Sequence, residues 1–226
     1  MPITTLRKWF GVELVEVSAT EKLIASLGGG LSILVLAGFS HWVLPGAGAT
    51  AVIASMGASA VLLFAVPHGQ LSQPWPILAG HTISATIGVA CAHCIPQPAV
   101  AAACAVGLAI GAMHQLKCIH PPGGATAFTA VMGGHAVQHL GFWFVLTPVL
   151  ANASMMVLLA VLMGRAFRWR RYPAGLAPSL QAPRSQPPSH EDIVSALKSF
   201  DSFVDISEED LLRLADLLSH RKKSIK

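Results

Sequence analysis

Two copies of the tripeptide Gly-Ala-Thr stand where a helix is expected to begin, because each follows a proline and glycine break. The first turn of a helix presents unpaired backbone N–H groups and the positive end of the helix dipole, which attract anions. Glycine lets a ligand approach the backbone, and a threonine hydroxyl adds a donor. Gly48, Thr50, Gly123, Gly124 and Thr126 therefore form a candidate substrate site for a small anion. The alternative is that these residues cap helices and pack small side chains at helix contacts.

Two side chains just before the second tripeptide could act with it. Lys117 is the only Asp, Glu, Lys or Arg between Leu23 and Gly164, so it either attracts anions to a vestibule or anchors a helix end at the membrane interface. His120 could donate to the substrate, shuttle protons or cap the helix that follows it. Cation and proton pathways usually keep carboxylates in the membrane, and their absence here favours an anionic or neutral substrate.

Other polar residues in apolar runs give weaker signals. His81 and Asn152 lie near corresponding places in two of these runs and are candidates to line a pore, although a buried histidine paired with a neighbour is the commoner case. Cys91-Ala-His93-Cys94 has a spacing compatible with zinc but supplies too few ligands locally, so no metal and no cofactor are expected. An acyl-transfer enzyme would need a carboxylate to orient its histidine, and we therefore expect no catalytic residues and no enzyme activity.

The composition explains why these groups must lie in a membrane. Of the 226 residues, 53% are hydrophobic and only 12% are charged, and the mean hydropathy is +0.59. A spanning helix needs about 20 mostly apolar residues, so the charge-depleted stretch has room for several spans and cannot form the core of a soluble fold. The sequence predicts an all-α membrane protein with six hydrophobic helical elements.

The elements are separated by proline and glycine. We expect a first span over about 23–43 that begins with capping-box spacing at Ser18 and Glu21. Further apolar stretches cover about 49–66, 77–95 and 99–116, and a weakly apolar stretch follows to about residue 134. A short polar segment with His135, Gln138 and His139 precedes the last apolar run at about 142–163.

These elements repeat. Residues 45–59 align with residues 121–135 and are identical at eight of fifteen positions, including Pro, Gly-Ala-Thr-Ala and Met-Gly. The duplication predicts two homologous three-element repeats, residues 21–96 and 97–168. If each repeat crosses the membrane three times the second is inverted, with a ligand site at the repeat interface; if the middle elements re-enter, the repeats are parallel.

The ends of the chain carry the remaining charges. An interfacial N-terminal helix is expected within residues 1–20, a proline-rich linker over 169–189 and two short helices in a cytoplasmic tail over 190–226. The cluster Arg165, Arg168, Arg170 and Arg171 and the basic residues before the first span place both termini in the cytoplasm. The first apolar run is about as long as a full span and lacks a clear cleavage site, so we expect it to remain as the first span.

The segment His120-Pro-Pro-Gly-Gly-Ala-Thr-Ala127 resembles the signature of the HPP family of integral membrane proteins, as do Ala54-Ser-Met-Gly-Ala-Ser-Ala60 and Gly80-His81. The resemblance covers roughly residues 20–165. It implies a multi-pass membrane protein, placed here in a bacterial inner membrane. Some plant and cyanobacterial relatives are associated with nitrite transport, and many bacterial relatives carry cytoplasmic CBS domains after the membrane part.

The sequence thus predicts a channel or transporter for a small anion, with nitrite as the candidate that the resemblance supplies. Its expected partners are the anion, the lipid bilayer and further copies of the chain, because Gly28-Gly29-Gly30 permits close helix contact; no nucleic-acid partner is expected. The alternative is a membrane-anchored sensor or scaffold that acts through its C-terminal helices.

Overall fold

The computed structural model of the chain describes residues 17–43 and 47–176. The chain divides into two compact units, of which the larger comprises Leu23–Ala177 and holds the apolar helices. Only residues 17–22 of the smaller unit are described. Outside the described residues lie residues 1–16, which hold most of the predicted interfacial helix, the Pro45-Gly46 break, and the chain from residue 177 with most of the predicted linker and its two predicted helices.

The described residues form helices and no strands, which confirms the all-α class. They comprise α1 (Ala19–Val43), α2 (Ala47–Ala65), α3 (Pro74–Cys94), α4 (Pro98–Gln115), α5 (Pro121–Met132), α6 (His135–Leu140) and α7 (Ala151–Ala166). Single turns of 3-10 helix occupy Gln70–Ser72, Arg168–Arg170 and Ala174–Leu176.

The helix ends follow from local sequence. The Ser18 hydroxyl accepts a hydrogen bond from the Glu21 amide at 3.1 Å, so the predicted cap of α1 is confirmed. Prolines occupy the first or second position of α3, α4 and α5, where a missing N–H leaves no helical bond unmade. A six-residue π-helical segment, Val145–Leu150, precedes α7 and contains Thr147 in an extended conformation beside Pro148.

Helix length separates possible spans from shorter elements. Four described helices are long and apolar enough to cross a bilayer: Ala19–Trp42, Pro74–Cys94, Pro98–Gln115 and Val145–Ala166. At 12 residues α5 is about 18 Å long, too short for a hydrocarbon core of about 30 Å, whereas α2 has 19 residues. The two middle elements of the predicted repeats therefore differ in length, and the two-repeat arrangement stays a prediction.

Helices α3 and α5 cross closely at glycines. A Cβ atom at Gly88 would lie 2.6 Å from the Ala127 carbonyl oxygen, and one at Gly80 would lie 2.8 Å from Cβ of His120. These positions need glycine because any side chain would overlap atoms of the facing segment. Helix α1 is peripheral by comparison, and it exposes Leu23, Leu27, Leu31 and Leu34.

After α7 the chain folds back onto that helix. Gly164 allows this contact, since a Cβ there would lie 2.8 Å from the Arg170 carbonyl oxygen. The Arg170 guanidinium donates to the Phe64 carbonyl at 2.8 Å, and the Tyr172 hydroxyl donates to the Ser72 carbonyl at 2.8 Å. Burial raises the pKa of Tyr172, which therefore stays protonated as a donor at neutral pH.

The same contacts involve His68, in the turn that follows α2. Burial and the nearby Arg170 charge lower the pKa of His68, and a hydrogen bond with the Arg171 backbone partly opposes them. Its imidazole is therefore mainly neutral at pH 7.

Candidate functional site

Four polar side chains from three helices and one loop meet in the apolar interior. Ser59, His81 and His120 are fully buried and Thr126 is 1% exposed. The Ser59 hydroxyl lies 2.8 Å from Nε2 of both histidines, and Nδ1 of His81 lies 2.7 Å from the Thr126 hydroxyl. The imidazole rings meet edge to face with centroids 4.9 Å apart. We call Ser59, His81, His120 and Thr126 the histidine cluster.

The surrounding elements fix each member of the histidine cluster. Ser59 lies on α2, His81 on α3 and Thr126 on α5, while His120 occupies the residue before α5 in extended conformation. The glycine at position 80 lets the His120 segment approach α3 closely. The sequence indicated His81, His120 and Thr126 as separate candidates, and in the structure Ser59 joins the two histidines through its hydroxyl.

The directions of the hydrogen bonds follow from one carbonyl. Nδ1 of His120 lies 2.9 Å from the Leu71 carbonyl oxygen, which only accepts, so this nitrogen carries a proton. In a neutral His120 ring Nε2 is then an acceptor, and the Ser59 hydroxyl donates to it. Having given its one hydrogen, Ser59 accepts from Nε2 of His81.

The remaining bond is determined in the same way. A neutral His81 that carries its proton on Nε2 has an acceptor at Nδ1, so the Thr126 hydroxyl donates to it. Weaker alternatives exist for both hydroxyls, with the Ser55 carbonyl 3.4 Å from Ser59 and the Pro122 carbonyl 3.3 Å from Thr126. The neutral histidine cluster is thus a hydrogen-bond chain running in one direction from Thr126 to Leu71.

The start of α5 differs from the predicted anion site. Pro121 and Pro122 occupy its first positions and have no N–H, and the Gly123 amide donates to the His120 carbonyl at 2.8 Å. Three of the donors expected at a helix start are therefore missing or used. The His120 side chain makes no capping hydrogen bond, so the interpretation of that side chain as a helix cap is wrong. Donors for an anion must come from side chains.

The two glycines of the motif have different surroundings. A Cβ at Gly123 would lie 2.8 Å from the Ser84 hydroxyl and 3.1 Å from the Gly80 carbonyl oxygen, whereas at Gly124 the nearest atom, in Val106, is 4.0 Å away. Gly123 therefore serves the crossing of α3 and α5, as the packing interpretation expected. Gly124 has room beside it.

Asn152 is fully buried but is not joined to the histidine cluster by any hydrogen bond among the described residues. Its amide nitrogen donates to the Ser40 hydroxyl at 2.7 Å, which links α7 to α1. The amide oxygen has no hydrogen-bond partner in the described part of the chain. Because that oxygen is an acceptor, the atom of Asn152 that lacks a partner would not bind an anion.

Lys117 is exposed and ends α4 in a left-handed conformation, with φ of 53°. The amide of Cys118 donates to the Met113 carbonyl at 2.9 Å and that of Lys117 to the His114 carbonyl at 3.2 Å. This pair of bonds is the Schellman motif, whose left-handed position usually holds glycine. A lysine there complements the negative end of the α4 dipole.

The remaining predictions concern the start of α2 and the Cys91–Cys94 segment. Gly48 and Thr50 lie in the first turn of α2, and the surroundings of their side chains are not described. In the Cys91 to Cys94 segment, Nδ1 of His93 donates to the Val89 carbonyl of its own helix at 2.8 Å. The described residues contain no group of three or more His, Cys, Asp or Glu placed to hold a metal.

Sequence reasoning missed Ser59 and the Leu71 carbonyl. A signal for Ser59 exists, since Ser55 and Ser59 are four residues apart in an apolar helix and so share one face, which in a membrane protein faces the protein interior. No sequence signal selects Leu71, because its side-chain type has no bearing on a contact made by its backbone.

A sequence profile of the HPP transmembrane region matches residues 15–173. The chain belongs to the HPP family. Because the matched region covers most of the chain and includes the histidine cluster, that cluster is part of the HPP transmembrane region. Membership and the apolar helices together establish a multi-pass membrane protein.

Two relatives of this HPP chain are transmembrane proteins of Dictyostelium discoideum. One is 38% identical over 177 residues, covering 76% of this chain and 57% of its own length. The other is 36% identical over 184 residues, covering 76% of this chain and 62% of its own length. The chain thus spans about three fifths of the length of these relatives. No solved structure matches it significantly.

Proposed function

We propose that this HPP protein is a channel or transporter for a small anion and that the histidine cluster is its substrate site, with nitrite as the candidate substrate. The observation that carries the proposal is a set of imidazole and hydroxyl donors buried in a core whose sequence lacks Asp and Glu from Leu23 to Gly164. Polar groups at membrane depth are energetically unfavourable, so those that are present usually have a function. Without carboxylates, these donors suit an anion better than a cation.

The conformation described is closed at the histidine cluster. Both rings are fully buried, and each ring nitrogen has a hydrogen-bond partner. An anion therefore binds by replacing contacts between helices, such as those from Ser59 on α2 to the rings. We infer that passage requires α2 to separate from α3 and α5 at this point, and that bonds to the anion compensate for those lost.

Removing one hydroxyl should weaken anion binding. In Thr126→Val the side chain keeps its shape but loses the donor to Nδ1 of His81, 2.7 Å away. The expected loss in nitrite binding is about 0.5 to 3 kcal/mol, the range for a hydrogen bond that can involve a charged partner. Calorimetric titration of nitrite into the detergent-solubilised protein would measure it.

Thr129→Val is the matched control for that experiment. Thr129 is also buried on α5, and it has no hydrogen bond to either histidine among those that the structure describes. Nitrite affinity should stay at the wild-type value in this variant. If nitrite binding weakens equally in both variants, or is unchanged in both, Thr126 has only a packing role.

Lys117 gives a test that separates charge from conformation. Lys117→Gln and Lys117→Gly both remove the charge, and we expect both to slow the association of nitrite. The effect should be larger at low salt than at high salt, because screening limits the reach of an exposed charge to roughly 10 Å at 0.1 M. Lys117→Gly should in addition be more stable than Lys117→Gln by up to about 1 kcal/mol, because glycine avoids the left-handed cost of about 1 to 2 kcal/mol but loses more backbone entropy on folding. Stopped-flow binding and thermal unfolding would measure the two effects. Unchanged association in both variants would identify Lys117 as an interfacial anchor only.

The finer features predicted from the sequence remain part of the proposal. These are two homologous repeats with paired helix starts at Gly48 and Gly124, assembly into a homo-oligomer, placement in a bacterial inner membrane and cytoplasmic termini. The lack of enzyme activity and of a nucleic-acid partner is proposed with them. In this account the helix starts contribute their dipoles, and the side chains contribute the hydrogen bonds.

The rival proposal is a sensor or scaffold that acts through residues 190–226. Anion flux through the purified protein in liposomes separates the two, because a scaffold needs no flux.

A further inference from the structure

We infer that the histidine cluster takes up one proton with each anion, so that the protein moves an anion and a proton together. This inference rests on the proposed function, because the anion is the one that the histidine cluster binds there. It goes beyond that function by assigning the two histidines and Ser59 to a proton relay.

The neutral chain of hydrogen bonds has the direction that a relay needs. When a proton reaches the Thr126 hydroxyl, Thr126 passes its own hydrogen to Nδ1 of His81. His81 passes the hydrogen on Nε2 to Ser59, and Ser59 passes its hydrogen to Nε2 of His120. One proton has been taken up, each O–H or N–H bond that broke has been replaced, and one positive charge now lies on His120.

The loaded state also satisfies the hydrogen bonds. Nε2 of His120 now donates to Ser59, Ser59 to Nε2 of His81, and Nδ1 of His81 to Thr126. The Thr126 hydroxyl turns to the Pro122 carbonyl, which already lies 3.3 Å away. The bond from His120 to the Leu71 carbonyl is unchanged, and because a carbonyl accepts without taking the proton, the charge stays on His120.

The charge formed in this way needs an anion. An unpaired charge in a buried apolar environment is strongly unfavourable, and no Asp or Glu occurs between Leu23 and Gly164 to balance it. The substrate anion is the available partner. Protonation and anion binding therefore favour each other, and the coupling is reciprocal.

The groups around the rings leave the charge of His120 uncompensated. Ser59 faces the rings from α2, Thr126 from α5 and the Leu71 carbonyl from the turn before α3. The buried thiols of Cys91 and Cys118 belong to the apolar cluster of α3, α4 and α5. The cations are placed elsewhere, with Lys117 exposed and Arg170 bound to the Phe64 carbonyl. The only acidic residue among those described is Glu21, in the first turn of α1.

Counting protons during anion binding tests the inference. Nitrite is titrated into the purified protein near pH 7.5 in two buffers of different ionisation enthalpy, and the difference in heat gives the protons taken up per nitrite bound. We expect about one proton for the wild type, since binding and protonation are linked. Ser59→Ala removes the hydroxyl that accepts the Nε2 hydrogen of charged His120, which makes the charged state less favourable, and it should therefore reduce this uptake. Ser32→Ala, which removes another buried serine hydroxyl on α1, should keep it.

The tautomers of the two rings give a readout that needs no anion. Nitrogen-15 NMR of histidine-labelled protein should show His120 protonated on Nδ1 and His81 on Nε2 in the neutral state, with resonances assigned by His120→Asn and His81→Asn. On acidification or nitrite addition, His120 should become an imidazolium while the proton on His81 moves to Nδ1. In Ser59→Ala the His81 tautomer should no longer follow His120.

The outcomes separate the inference from the proposed function. Nitrite binding without proton uptake, or a neutral state with the opposite tautomers, overturns the relay and leaves the anion site standing. If nitrite does not bind, the proposed function fails for nitrite, and the tautomers and their response to acid decide the relay alone.

Discussion

Replacing His120 with asparagine is expected to lower anion flux by at least about tenfold. The asparagine amide can still donate to the Leu71 carbonyl in place of Nδ1, but no atom of it reaches Ser59, which His120 contacts at 2.8 Å. One hydrogen bond to a charged partner is worth about 1.5 to 3 kcal/mol, and each 1.4 kcal/mol is about tenfold. Flux of nitrite into liposomes that contain equal amounts of folded protein measures the effect.

His114→Asn is the matched control for the His120 variant. His114 is exposed in the last turn of α4, so the same chemical change there should leave flux and stability unchanged. Equal flux in His120→Asn and the wild type, with normal thermal unfolding in both, would mean that the histidine cluster lies off the anion pathway.

The second large effect concerns stability. Gly123→Ala places a Cβ 2.8 Å from the Ser84 hydroxyl, 3.1 Å from the Gly80 carbonyl oxygen and 3.2 Å from the Met113 sulfur. The serine and methionine side chains can turn away, but the carbonyl belongs to the backbone of α3, so the two helices must move apart. Overpacking of this kind costs about 1 to 3 kcal/mol. Thermal unfolding in mild detergent should show a lower midpoint.

Gly124→Ala, one residue further, should leave that midpoint unchanged, because no atom lies closer than 4.0 Å to the added Cβ. It should also leave flux unchanged, since the prolines and the Gly123 bond leave few backbone donors at the start of α5. If Gly124→Ala folds normally but loses flux, the anion does approach the helix start. If Gly123→Ala is as stable as wild type, the close crossing is wrong.

The helical class and the approximate extent of the long helices could be predicted from the sequence. Charge depletion and proline breaks suffice for this, because a membrane core admits few structures other than helices. The cap at Ser18 was predictable because it depends on residues within one turn. The end of α5 was predictable as well, since the weakly apolar stretch was expected to reach about residue 134 and the helix ends at Met132, with Gly133 as its C-cap.

The histidine cluster could be predicted only in part. His81 could be predicted as a polar residue in an apolar run, whereas His120 and Thr126 could be predicted from their place at the second Gly-Ala-Thr tripeptide. Their meeting depends on the crossing of α2, α3 and α5, with Ser59 22 residues before His81 and 61 before His120. Asn152 is equally unusual in the core, yet its hydrogen bond goes to Ser40, because α7 faces α1 at that level.

One weakness of the predicted anion site is visible in the sequence itself. The motif at the start of α5 contains two adjacent prolines, which carry no N–H, so it was a poor candidate for binding an anion through its backbone. The first tripeptide has a single preceding proline, at Pro45. The sequence itself thus distinguishes the two helix starts that the repeat made equivalent.

Flux of nitrite through the purified wild-type protein, compared with His120→Asn, tests the central claim most directly. Neutral nitrous acid crosses bare lipid, so protein-free liposomes at slightly alkaline pH set the baseline. We expect wild-type flux well above that baseline, saturating with nitrite concentration, and His120→Asn close to it. If the folded wild-type protein gives no more flux than protein-free liposomes, transport of nitrite is contradicted. If both proteins give equal flux above that baseline, passage through the histidine cluster is contradicted.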